Sequence, residues 1–138
     1  MGSRNIVIHS SNSDFGCATV LCEQYRTDSR TGIPYHFVVL NGFQSEGSRF
    51  PIHPLIGSIE IGTVLDDSPG WERVVEESST DLSYNIDSIG ICVIGKTFLF
   101  ERQICSLFWL CLSLIFAQNI EISNVYGHSE IDQNHSDC

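Results

Sequence analysis

His9 follows the β-branched run "NIVI", and His128 follows "SNVYG". Cys138 closes "VYGHSEIDQNHSDC", a stretch that also carries Asp132, His135, Ser136 and Asp137. Two imidazoles and a thiolate are a chemically sensible zinc set that leaves a fourth position open for water. A histidine at the end of a strand stands where loops build active sites, although a lone one is more often a hydrogen-bonded structural residue. The three residues are far apart in sequence, so spacing alone does not single out zinc. A purely structural zinc would call for a fourth protein ligand. Cys138 lies in polar sequence beside Asp137, where a thiolate can act as a ligand. The other five cysteines (Cys17, Cys22, Cys92, Cys105 and Cys111) sit in apolar segments and read as small buried hydrophobes in a reduced state.

Composition narrows the function classes. The 138 residues, 42% hydrophobic and 17% charged, suit one globular domain spanning 1–138. With 17 acids against 7 bases the net charge is −10, a field that repels nucleic acid and anionic lipid and favours a cationic or neutral polar partner. Part of that charge is local, in Asp66, Asp67, Glu72, Glu76, Glu77 and Asp81, which reads as a solvated loop. "MGSRNIVIHS" lacks the apolar run of a secretory signal. The most apolar stretch, "ICSLFWLCLSLIFA" at 104–117, is shorter than the roughly 20 residues a membrane span requires. It reads as a buried helix, and its lack of a polar face predicts cover on more than one side. A monomer without nucleic-acid or membrane partners is expected.

The positioning elements follow from patterning. "NIVIH" (5–9) predicts a buried strand. "SSNSD" offers Ser13 or Asp14 as an N-cap for a helix over roughly Phe15 to Thr27, with Ala18, Leu21, Cys22 and Tyr25 on one face. Pro34 leads into "YHFVVLNG" (35–42), a second strand closed by an Asn-Gly turn. "GSIEIGTV" alternates like a strand, and "DDSPGWERVVEESSTDLSYN" reads as a long surface excursion flanking a binding groove. "SIGICVIG" (88–95) predicts a central strand, the apolar helix covers about 100–118, and "NIEISNVYGHS" gives a last short strand. The order implies an α/β domain with a mixed central β-sheet flanked by helices.

Taken in order, "IVIHSS", "GIPYHFVVLNG", "SIGICVIG", the helix "RQICSLFWLCLSLI" and "VYGHSEI…SDC" resemble the type 2 N-acetylmuramoyl-L-alanine amidases, a family that includes the peptidoglycan recognition proteins. Only 43–84 matches poorly. The resemblance implies zinc held by His9, His128 and Cys138, with the family tyrosine at Tyr35, its phenol directed at the scissile carbonyl or the attacking water. Without the resemblance, Tyr35 reads as a core aromatic, and His36 beside it points to the opposite face as a structural residue. The implied reaction is hydrolysis of the amide between N-acetylmuramic acid and L-alanine in peptidoglycan. Zinc lowers the pKa of bound water toward 7 and polarises the carbonyl.

Three departures bear on that activity. Ser136 stands where the family places a lysine or threonine, Glu76 or its neighbours where many relatives carry a histidine, and Cys92 where some carry a glutamate. Relatives also continue past the last ligand, which leaves Asp137 and His135 as substitutes for Cys138. A second reading is therefore a muropeptide-binding module of the same fold that does not cut. In either case the implied partner is peptidoglycan or muropeptide, met in the bacterial cell wall or periplasm.

Overall fold

The computed structural model describes residues 5–25, 35–62, 88–96 and 98–127. Among these residues the chain forms five strands and two α-helices: β1 (Asn5–Ser10), α1 (Ala18–Tyr25), β2 (Phe37–Val39), β3 (Ile59–Ile61), β4 (Ser88–Val93), α2 (Glu101–Gln118) and β5 (Val125–Gly127). The strands make one sheet in the order β3-β2-β4-β1-β5. β1 pairs in parallel with both β4 and β5, β2 pairs in parallel with β4, and only β3 runs antiparallel. The sheet is mixed, as the sequence implies.

β4 lies at the centre and all six of its residues are buried, which is why "SIGICV" reads as an unbroken apolar run. Its alternate side chains feed two cores. Ile89, Ile91 and Val93 join Ile6, Val39 and the inner face of α2, while Cys92 and Ile94 join Leu21, Tyr35, Val38 and Leu40 on the α1 side.

Local corrections to the sequence reading have physical causes. α1 begins at Ala18 rather than Phe15, and the carboxylate at its first amide comes from across the sheet rather than from the preceding loop. The Ala18 amide donates to the Glu60 carboxylate at 2.7 Å. Glu60 pairs with Val38 across β2 and β3, so strand alternation places it on the α1 face, where a carboxylate suits a helix N-terminus. Ser13 turns back locally, its hydroxyl donating to the Phe15 carbonyl. β2 is shorter than 35–42 and begins at Phe37. The Asn-Gly pair does turn the chain: Gly42 adopts φ +88°, and a Cβ there would lie 2.9 Å from Pro51. The loop it opens is closed by Ile52 donating to the Gly42 carbonyl.

The five described cysteines are free thiols, in line with a reduced state, but not all are buried. Cys92 is buried, burial pushes the Cys111 thiol above its ordinary range, and Cys105 is exposed on α2. No helix among the described residues is long and apolar enough to cross a membrane. The excursion after β3, with Glu76, lies outside the described residues.

Candidate active site at the carboxyl edge of the sheet

Strands β1, β2, β4 and β5 run the same way, so their carboxyl ends share one edge, the usual place for ligands in open α/β sheets. His9 sits there, second from the end of β1, with 2% of its surface exposed. It is level with Cys92 of β4. The Tyr35 ring packs against it, with centroids 4.9 Å apart and planes tilted by 54°.

A break in strand parity brings Tyr35 to this face. Phe37 and Val39, two and four positions on, pack in the α2-side core, whereas Tyr35 belongs to the α1-side core. The chain bends at His36, just ahead of β2, so strand alternation does not extend back to Tyr35. His36 is fully buried and structural, as expected. Its amide donates to the Gly90 carbonyl, and its Nδ1 accepts the Gly90 amide at 3.0 Å. The imidazole thereby replaces a backbone acceptor in the β2–β4 ladder and fixes the bend that presents Tyr35.

The end of β1 is tied to the end of β4 by the two serines that follow His9. Ser10 Oγ donates to the Gly95 carbonyl at 2.7 Å, and Ser11 Oγ accepts the Gly95 amide at 3.0 Å. Gly95 has no room for a side chain, since a Cβ would lie 2.9 Å from the Phe98 carbonyl oxygen. Gln103, fully buried in the first turn of α2, completes the frame. Its Oε1 accepts the Phe100 amide at 2.9 Å and its Nε2 donates to the Ile94 carbonyl at 2.8 Å. The sequence reading used these residues only as motif matches. Their hydrogen bonds reach across 84 or 85 positions for the serines, which no local pattern reveals.

A cavity of about 510 Å³ opens at this edge, with His9, Ser10, Gly95, Lys96, Phe98 and Gly127 in its lining. Lys96 is the chain's only lysine and is exposed, so a rare positive charge stands at the mouth of a pocket in an acidic protein. Phe98 also borders a second cleft of about 290 Å³, which includes Asp14, Asn41, Phe43 and Arg49. The sequence reading did not single out Lys96 or Phe98.

Two of the four sequence-derived site residues, His9 and Tyr35, are thus brought together. His128 and Cys138 lie outside the described residues, as do His135, Ser136 and Asp137. β5 leads toward His9: the register ends on Ile8 opposite Gly127, the residue that precedes His128. Among the described residues no three His, Cys, Asp or Glu side chains converge as a metal cage. What is described still suits zinc, because a buried imidazole at a strand end, beside the end of β5, is the donor type zinc accepts.

The sheet order, the helix on each face and the His9–Tyr35 pair define a domain of the amidase and peptidoglycan recognition type. The chain belongs to the N-acetylmuramoyl-L-alanine amidase family, whose sequence model matches residues 2–138. No curated protein matches it. Among solved structures it is similar to the N-acetylmuramoyl-L-alanine amidase LysC from Clostridium intestinale, with a TM-score of 0.67 at 18% identity over 95% of this chain and 74% of that one. The Drosophila peptidoglycan recognition protein LB gives 0.62 at 18% identity over 95% and 72%. The ectodomain complex of peptidoglycan recognition proteins LCa and LCx bound to tracheal cytotoxin gives 0.60 at 22% identity over 94% and 72%.

Proposed function

We propose that the chain is a zinc-dependent N-acetylmuramoyl-L-alanine amidase acting on peptidoglycan in the bacterial cell wall or periplasm. The observation that carries this reading is the buried His9 imidazole against Tyr35 at the carboxyl edge, in a chain of the amidase family. His9, His128 and Cys138 would hold the metal. When bound, zinc supplies a Lewis acid that polarises the scissile carbonyl and makes water acidic enough to attack near neutral pH.

The protein's own residues do the rest. Ser10, Ser11 and Gly95 fix the end of β1 and with it the His9 ring. The His36 bend holds Tyr35 beside that ring, where its hydroxyl donates a hydrogen bond to the oxygen that gains charge as water adds to the carbonyl carbon. A well-placed donor of this kind is worth about 3 kcal/mol. The C–N bond then breaks, leaving the lactyl carboxylate on one product and the free amino group of L-alanine on the other.

The competing reading is a muropeptide-binding module. It draws on the recognition proteins among the similar structures, one of them bound to tracheal cytotoxin, and on Ser136, which brings no positive charge to the oxyanion. Ser136→Lys separates the two readings. A charge-assisted hydrogen bond is roughly twice as strong as a neutral one, so the variant should release stem peptide about 10-fold faster with little change in muropeptide affinity. If native chain and variant both bind muropeptide and neither releases stem peptide, the amidase reading fails and the binding module stands.

A further inference from the structure

We propose that the outer face of α2 is the interface of a two-fold homodimer. α2 has no charged residue from Gln103 to Gln118, and the sheet covers only its inner side, through Leu107, Leu110, Cys111, Leu114 and Ile115. The opposite side carries Cys105, Phe108, Trp109, Leu112 and Phe116, with Ile104 exposed at the margin near the start of the helix. Of these, Ile104 is 54% exposed, Phe108 59%, Trp109 62% and Phe116 80%. The sequence predicts a helix covered on more than one side; the segment around Gly57 covers the flank at Arg102 and Ser106, Ser106 Oγ donating to the Gly57 carbonyl, and among the described residues the outermost face stays open. A helix that is apolar all round belongs in an interior.

Area, charge and spacing point to a second copy as that cover. An aromatic side chain presents 150–250 Å², so the three exposed rings leave roughly 400 Å² uncovered. The remaining residues bring the patch to roughly 600 Å², the upper end of what a monomer ordinarily shows and about three quarters of the roughly 800 Å² per partner of a standard interface. A net charge of −10 opposes indiscriminate association, yet no carboxylate lies within the stripe, the one acid of α2 being Glu101 in its first turn. A bilayer surface fits less well, because helices that lie in that interface are rich in Lys and Arg, whereas α2 has only Arg102, in its first turn.

Residues 105, 109, 112 and 116 form a stripe with steps of four, three and four, a pattern that reads the same in both directions. Two antiparallel copies therefore meet in register, with Cys105 opposite Phe116 and Trp109 opposite Leu112. Each contact sets a larger side chain against a smaller one, as close packing requires. The self-matching stripe is what an isologous two-fold interface demands. This differs from the monomer expected from sequence alone, and none of the four stripe residues lines the carboxyl-edge cavity.

The test is the solution mass of the full chain, by sedimentation or light scattering over about 1–100 µM. The native chain should sediment as a dimer of 15.4 kDa protomers. Trp109→Glu and Phe116→Glu should each raise the dimer dissociation constant at least 100-fold while the far-ultraviolet spectrum and unfolding transition are kept. Phe50→Glu, at another exposed aromatic, should leave the dimer intact. In Phe116→Cys, mild oxidation should join the new cysteine to Cys105 of a second copy. A native monomer throughout the range would overturn the proposal, as would a dimer indifferent to both glutamate variants or a Phe116→Cys dimer that does not cross-link. Binding of a monomer to phosphatidylcholine vesicles would assign the face to a membrane instead.

Discussion

Gln103→Leu isolates the frame that holds the candidate site. The side chain is fully buried and bridges two elements, accepting from the Phe100 amide and donating to the Ile94 carbonyl. Leucine fills nearly the same volume and makes neither bond. The Ile94 carbonyl belongs to a fully buried residue, so leaving it unpaired costs about 1–3 kcal/mol. The Phe100 amide is only partly buried and water recovers some of its loss, which brings the total to about 2–4 kcal/mol. That is a large share of a typical domain stability of 5–15 kcal/mol, and corresponds to a melting temperature lower by roughly 10 °C. Urea and thermal unfolding of the native chain and the variant measure it directly. A loss below about 0.5 kcal/mol would refute the reasoning and show that the ends of α2 and β4 are held by other contacts.

Tyr35→Phe should lower stem-peptide release roughly 100-fold while the fold and the zinc content are kept; an unchanged rate would reduce Tyr35 to a core aromatic. Glu60→Ala removes the carboxylate that caps α1 across the sheet and should cost about 1 kcal/mol in urea unfolding. A cost indistinguishable from zero would show that the Ala18 amide finds water instead.

Elements with a strong local period were legible. "NIVIH" and "SIGICVIG" gave their strands, and the apolar run gave α2, because burial on both faces of a central strand and a long apolar helix each leave a mark in adjacent residues. Features set by distant residues were not. Glu60 caps a helix that begins 42 positions earlier, and Ser10 and Ser11 hold Gly95 across the sheet. The position of Tyr35 could be named by motif, but its face depends on the His36 imidazole replacing a ladder acceptor. The wholly apolar run around Cys105 predicts burial, yet its thiol is exposed, because sequence does not say which side of such a helix meets the sheet. His9 and Tyr35 carry the part of the site that the described residues hold, while the roles of His128 and Cys138 rest on the family resemblance.

The central claim is a zinc site that His9 helps to form and that cleaves the muramoyl amide. The most direct measurement quantifies zinc and released stem peptide in one sample, for the native chain and for His9→Ala, with muropeptide as substrate. The native chain should carry about one zinc and release free stem peptide, and the variant should lose both. Full zinc retention in His9→Ala, or stem-peptide release by a native chain stripped of zinc, would contradict the account.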